Sequence, residues 1–441
     1  MSLLDHPDAQ ALLADATLTP EAVAGCQGYL TGFLQRYPPQ FYRIEHRAHA
    51  VTVIHGLLSD LERKTCEPIA SQAGLHRKTL QTFVGSGAWD DEAVMGELRQ
   101  HVREELAGPD GVVVIDPSAF PKKGTESCGV GRQWCGRLGK VDNCQVGVFL
   151  AYAAEAGYAP LDRRLYLPED WVGDPSRREK CHVPPEVKFQ EKWQIAWDLL
   201  DRSLPGLPHG WIVGDDEFGR ASKFRAKLRG RRERYVLDVP CNTTIRDLEQ
   251  RRPPRKKAGV GRKREVPFVR ADAWAASQPA SRWQRITARG GEQGPLLVDA
   301  MTARVRAKQD GRIGPEERLV VIRPADQTRV DYALTNAGAE VPLTELVRVQ
   351  RQRHRIEELF EAGNGEAGLD HYEVRSWVGW HHHMTLSLVA LWSLCLERRR
   401  VGGENPGGHG VPDAADLHPA APPSGPDTER DRRGGQSCAA A

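Results

Sequence analysis

The chain alternates between two apolar periods, and the change of period marks out its elements. Up to about residue 110, apolar residues recur at helical spacing in Glu21–Tyr37, Arg43–Leu61 and Asp91–Leu106, with Pro or Gly between the runs. Gly111–Val112–Val113–Val114–Ile115–Asp116 then brings four β-branched residues together. This predicts a strand buried on both faces that ends at the basic segment Pro117–Gly124. Cys144–Ala153 and Arg163–Leu167 read as two further strands, joined by links short enough for an antiparallel meander. Lys188–Leu204 is amphipathic with the period of a helix. It delivers the chain to Trp211–Gly214, a second short apolar strand that runs into Asp215, Asp216 and Glu217. A basic helix over Arg220–Arg229 and the strand Tyr235–Val239 complete a crossover unit, so the predicted sheet is mixed.

Between about 240 and 325 the pattern breaks into short strand-like pieces: Val266–Val269, Trp283–Thr287, Leu296–Ala300 and Leu319–Ile322. This predicts a β-rich insertion. Tyr332–Asn336 returns as a strand, Leu343–Glu366 reads as one long helix, and an apolar helix runs from Ser376 to about Arg399. Its most apolar part, Met384–Leu396, is too short to span a bilayer and is expected to be buried. From Val401 onward Gly, Pro, Asp and Ala dominate, which predicts disorder.

Length and charge narrow the picture. A chain of 441 residues can hold two or three domains, and a net charge of +2 means that any nucleic-acid site must arise from local clustering. One such cluster is Arg251, Arg252, Arg255, Lys256, Lys257, Arg262, Lys263 and Arg264, with no acid among them, which favours phosphate binding over a plain solvated loop. Ile69–Phe83 has the form of a helix-turn-helix, with Gly74 at the turn and Arg77, Lys78 and Gln81 outward on the second helix; an ordinary helical hairpin fits the same residues. Lys122 and Lys123 fit either a DNA contact or a solvated loop. The nine cysteines show no CxxC pair and no zinc spacing, and with no signal peptide in view they are read as reduced cytosolic thiols. Gly129–Asn143 is Gly-rich but lacks the Gly-Lys-Ser/Thr end of a phosphate loop. His381–His382–His383 are consecutive on a helix, so they point in different directions and do not share one ion.

The chemistry-bearing candidates are Asp116 and Asp215 at strand ends and an acid on the helix before the buried helix, where periodicity leaves Glu357, Glu358 and Glu361 open. Hard divalent cations take carboxylate oxygens from rigid elements that converge. Two long segments add to this: Asp116–Gly124 with Gly136–Val148, and Arg355–Glu358 continuing through Gly368–Trp377. In these residues the chain, from about 40 to 400, resembles the DDE transposases of bacterial insertion sequences, in the branch with a β-rich insertion and a Y-R-E-K signature.

The resemblance implies an α/β fold: an RNase H-like mixed sheet flanked by helices, with an N-terminal helical domain and a β-rich insertion. The corresponding division is a helical DNA-binding domain over 1–110, a catalytic core over 111–239 and 326–400, the insertion with its basic loop over 240–325, and a disordered tail over 401–441. It assigns Asp116, Asp215 and Glu357 as catalytic metal ligands, with Asp215 chosen over Asp216 by the pattern Asp-x-x-aromatic-Gly, and Arg353 as the signature arginine. Two positions depart: Gln350 stands for the signature Tyr and Asn364 for the Lys. It further implies two Mg²⁺ (or Mn²⁺) ions, double-stranded DNA as partner, a homodimer on DNA, and a bacterial cytoplasmic, nucleoid-associated protein without a membrane segment. DNA contacts are expected from Arg353, Asn364, Lys122, Lys123, Arg77, Lys78, Arg255, Lys256, Lys257, Arg262, Lys263 and Arg264. The implied activity is cut-and-paste cleavage and strand transfer at terminal inverted repeats. The alternatives are a DNA-binding protein that has kept the scaffold without the catalysis, and a structure-selective nuclease.

Overall fold

The computed structural model of the chain describes residues 20–251, 265–289, 296–309, 311–324 and 329–402. Within these, the first apolar runs form helices α1 (Pro20–Leu34), α2 (Ile44–Leu57), α3 (Cys66–Gln72), α4 (Arg77–Ser86) and α5 (Asp91–Glu105). The Asp90 carboxylate caps α5 by accepting from the amides of Glu92 and Ala93. Gly74 takes φ +67° between α3 and α4, a left-handed turn that a side chain would strain. Arg77, Lys78 and Gln81 are exposed on α4, as expected of either helical hairpin reading.

Strands β1 (Val112–Pro121), β2 (Gly131–Cys135), β3 (Lys140–Ala154) and β4 (Gly157–Leu165) come next, then α6 (Lys192–Ser203), β5 (Trp211–Gly214), α7 (Ser222–Gly230) and β6 (Tyr235–Asp238). The lateral order β4-β3-β1-β5-β6 has β3 antiparallel to both of its neighbours, while β1, β5 and β6 run parallel. The sheet is therefore mixed, with the predicted meander and crossover.

Beyond β6 the same sheet continues through β12 (Asp331–Thr335), β11 (Arg312–Pro324), β10 (Leu296–Gln309), β7 (Thr244–Asp247) and β8 (Val269–Arg270), with β9 (Gln284–Arg289) also against β10. A short helix, α8 (Ala271–Ala276), lies on this half, which has its own apolar cluster around Ile245, Trp274, Val305 and Leu319. The chain closes with α9 (Leu343–Arg351), α10 (His354–Glu366) and α11 (Trp377–Gly402). Helix α11 is buried on every side from Trp380 to Ser393 and packs against β4, α1, α2, α4, α5 and α10. Among the described residues no helix is long and apolar enough to cross a membrane.

Several elements differ from expectation. Strand β1 does not end at Asp116; it continues to Pro121, because β3 pairs with it from Ala153 through Cys144. Prolines 117 and 121 are tolerated there since β5 has already left the other edge, which pairs only as far as Ile115. Part of the Gly-rich segment forms β2, in a hairpin with β3 whose turn uses Gly139 at φ +62°. Strands β10 and β11 are far longer than the apolar pieces that suggested them. Along β10 the buried Ala303, Val305 and Ala307 alternate with exposed Arg304, Arg306 and Lys308, so the charged face hid the strand. The single helix expected over Leu343–Glu366 is two helices, broken at Gln352–Arg353. Both residues keep helical backbone angles, which leaves the break without a periodicity signal. The basic residues from Arg252 to Arg264, and the tail beyond Gly402, lie outside the described residues.

Candidate active site

The parallel ladders set the geometry of the site. Ile115 pairs with Gly214, and Gly214 with Leu237. One residue further along each strand stand Asp116, Asp215 and Asp238, so three neighbouring strands present a carboxylate at the same level. This is the carboxyl edge of a parallel sheet, where open α/β folds place their ligand sites.

Local sequence fixes each acid. Asp215 caps the helical turn Asp216–Gly219, its carboxylate accepting from the Glu217 amide at 3.0 Å. Phe218 is fully buried beneath that turn. Gly219 lies so close to the Asp238 carbonyl that a Cβ there would collide with it, which is the reason for glycine four residues after Asp215. Glu357 lies in the first turn of α10.

Arg353, at the junction of α9 and α10, ties the acids together. Its Nη1 is 3.7 Å from Asp116, its Nε 3.2 Å from Asp238 and its Nη2 3.2 Å from Glu357. Glu357 also meets His354 Nδ1 at 2.9 Å. Burial, and then the neighbouring Asp215, push the Asp116 carboxyl well above its usual range. Burial, then Glu217, pushes Asp215 up to about 6, and burial pushes Asp238 up to about 6 against the pull of Arg353. Burial works against the Arg353 charge, yet Asp238, Asp116 and Glu357 outweigh it and raise its pKa.

Asp116, Asp215, Arg353 and Glu357 line a cavity of about 980 Å³ whose other walls include Trp134, Lys192, Arg220, Lys223 and Gln309. Lys192 and Arg220 are paired with Glu217 and Asp216. The tip of the β10–β11 hairpin thus reaches the same cavity as the strand ends, through Gln309. Repelling buried carboxylates open to a cavity suit a divalent cation in charge and donor type. Among the described residues no group of three His, Cys, Asp or Glu side chains is set to hold a metal ion; Glu357 is engaged by Arg353 and His354 instead.

The remaining sequence candidates are spread more widely. Glu358 pairs with Arg355 at 2.9 Å, and Glu361 is exposed. Gln350 is buried, and its amide donates to Asp238 at 3.0 Å. Asn364 is half-buried, with its Oδ1 lacking a hydrogen-bond partner among the described residues. Lys122 is half-buried, its Nζ 3.5 Å from the centroid of the Tyr372 ring, and burial pushes it down to about 8; Lys123 is exposed. Lys78 is exposed, and Arg77 lies 3.5 Å from Glu67. Each of the three histidines of α11 has its own partner: His381 meets the Trp377 carbonyl, His382 those of Val84 and Trp89, and His383 that of Gly368. Arg255, Lys256, Lys257, Arg262, Lys263 and Arg264 fall outside the described residues. Asp238 was absent from the sequence candidates although its signal was present: Tyr235–Val236–Leu237–Asp238 repeats the apolar run ending in Asp of the other two strands.

Residues 36–295 match the family model described as DDE superfamily endonuclease. A relative from Microchaete diplosiphon, described as a probable transposase for insertion sequence element IS701, is 28% identical over 197 residues, which is 44% of this chain and 49% of the relative. The chain therefore spans about half the length of the curated relative it matches. A solved structure described as a piggyBac transposase synaptic complex with hairpin DNA aligns over 82% of this chain and 67% of that one, with a TM-score of 0.41 and 10% identity.

Proposed function

We propose, from the premise that this chain belongs to the DDE superfamily of endonucleases, that it is a transposase which cuts DNA at the ends of a mobile element and joins them to a new site. The observation that carries this reading is the pair of acids just past the parallel ladder of β1 and β5, Asp116 and Asp215, facing Arg353 and Glu357 across one cavity. The strand order β4-β3-β1-β5-β6 supports an RNase H-like core.

Asp116, Asp215 and Glu357 would hold two divalent cations, Mg²⁺ or Mn²⁺. When bound, such ions activate the attacking oxygen and stabilise the leaving 3′-oxygen of an in-line displacement. The chain's own part is positioning and charge. Asp116 and Asp215 are fixed by the ladders and the capped turn. Glu357 joins them once it leaves Arg353 and His354, and Arg353 is then available to a phosphate. Lys223, exposed on the cavity wall, offers a further phosphate contact. Helix α4, with Arg77 and Lys78 outward, would lie along terminal-repeat DNA, and the basic run around Arg255–Arg264 adds contacts independent of sequence. The protein would act as a dimer on DNA in the bacterial nucleoid.

The test is incubation of the chain with duplexes carrying the element's terminal repeat, with and without Mg²⁺. Nicking at the repeat boundary followed by strand transfer is expected. Binding without cleavage would instead support a scaffold that has kept DNA recognition alone, a reading favoured by the pairing of Glu357 with Arg353. Cleavage without transfer would point to a nuclease.

A further inference from the structure

Arg353 stands where the backbone gives it little support. Helix α9 ends at Arg351 and α10 begins at His354, and the junction is closed by short-range bonds, Arg353 amide to Gln350 carbonyl at 3.2 Å and Arg355 amide to Gln352 carbonyl at 2.9 Å. A long side chain on such a junction needs an anchor to hold one direction. Asp238 supplies one from firmer ground. Its backbone is in the sheet, paired with Ala333 on one side, and its Oδ1 accepts from the buried Gln350 amide at 3.0 Å. Its other oxygen, Oδ2, meets Arg353 at Nε, 3.2 Å away. A guanidinium is planar and rigid, so fixing Nε fixes where Nη1 and Nη2 point. Here they point at Asp116 and Glu357.

We infer that Asp238, clamped by Gln350, is a positioning residue that orients Arg353 over the catalytic acids. Asp238 takes one edge of the guanidinium, so the arginine is not committed wholly to Asp116 and Glu357. Without that hold, Arg353 settles on those two acids, competes with a cation for them, and no longer presents a defined face to phosphate. The inference rests on the proposed function, and it explains the burial of Gln350, whose amide secures Asp238 rather than touching DNA.

The experiment is a double-mutant cycle on single-turnover cleavage of end DNA at saturating Mn²⁺ and DNA, where a change in metal affinity alone does not register. Asp238→Asn is expected to slow cleavage about tenfold, with DNA affinity within about twofold. Gln350→Ala, which alters no charge and serves if Asp238→Asn fails to fold, is expected to slow it about threefold. In an Arg353→Ala background both effects shrink to within about twofold, because the residue they act through is gone. Equal losses in the two backgrounds overturn the inference while leaving the proposed function intact. If the wild type binds Mn²⁺ without cutting DNA, the proposed function fails. The cycle is then read on Mn²⁺ affinity with Gln350→Ala: a shift of about twofold or more that disappears with Arg353 supports the clamp, and no shift overturns it. A wild type that neither cuts DNA nor binds Mn²⁺ overturns both.

Discussion

Removing the charge of Asp162 tests how α5 and α6 are fastened to the sheet. Asp162 lies in β4 with no exposed surface. Its Oδ2 accepts from Arg202 Nε at 2.9 Å, Arg99 at 3.2 Å and Ser203 at 2.7 Å, and its Oδ1 from Arg202 Nη2 at 2.7 Å and the Arg163 amide at 2.8 Å. The arginines come from α5, α6 and β4, so one carboxylate joins two helices to the strand. Asp162→Asn keeps the shape and removes the charge. Breaking a buried pair typically costs about 3–5 kcal/mol. The low end applies here, because the arginines keep other acids: Arg202 retains Glu92 at 2.9 Å, Arg163 retains Asp91 and Arg99 retains Glu92. A loss of about 3 kcal/mol is expected. Spread over 441 residues, that lowers the melting temperature by about 3 °C.

Acid adds a second readout. Burial alone would raise the Asp162 carboxyl, but Arg202, Arg99 and Arg163 outweigh it and hold it below its usual range. A depressed folded pKa stabilises above the unfolded value and loses that contribution as pH falls through the folded one. Thermal melts from pH 7 to below pH 4 should therefore show the wild type converging on Asp162→Asn only at the acid end of the series. A melting temperature within 1 °C of wild type at pH 7 would refute the argument that this carboxylate carries the junction.

Asp116→Asn, Asp215→Asn and Glu357→Gln should each reduce Mg²⁺-dependent cleavage at least about a hundredfold with DNA binding retained, measured by gel assay and mobility shift; full cleavage by any one removes that residue from the site. Gly219→Ala should cost about 1–3 kcal/mol in chemical denaturation and slow cleavage with it, since the added methyl collides with the Asp238 carbonyl and displaces the turn that begins at Asp215. Burial pushes His383 down to about 4, so the unfolded chain binds more protons between about pH 6.5 and 4 and stability falls as pH drops through that window; His383→Gln should flatten the slope by on the order of 1–3 kcal/mol across it. Neutralising Arg255, Lys256, Lys257, Arg262, Lys263 and Arg264 should weaken binding to every DNA sequence and reduce the log–log salt slope by about 0.9 for each phosphate that is no longer neutralised; an unchanged slope would mark the run as solvated only.

What the sequence determined by itself is what local chemistry dictates. Four β-branched residues before Asp116, and Trp211–Gly214 before Asp215, announce strands that lead into carboxylates, because β-branched side chains fit a pleated surface and a buried acid is costly; only the second strand stops there, since β3 carries β1 on to Pro121. The apolar run Met384–Leu396 announced a buried helix for the same kind of reason. The choice of Asp215 over Asp216 comes from the family pattern that places a glycine four residues on, and the packing of Gly219 against Asp238 is seen only in the fold. What the tertiary structure decided depends on neighbours in space. Asp238 closes the same kind of apolar run as Asp116 and Asp215, but its place beside Asp215 is set only by the parallel register. Periodicity left Glu357, Glu358 and Glu361 equivalent, whereas Arg353 pairs with Glu357 and leaves Glu361 in solvent. The break between α9 and α10 has no Pro or Gly to signal it, and the length of β10 was hidden by charges on its open face. Sequence leaves Lys122 open between a DNA contact and a solvated loop; the extension of β1 past Asp116 sets it on the Tyr372 ring. Sequence encodes each segment's preference; which side chains meet is a property of register and packing between segments far apart in the chain, and that is where the site was assembled.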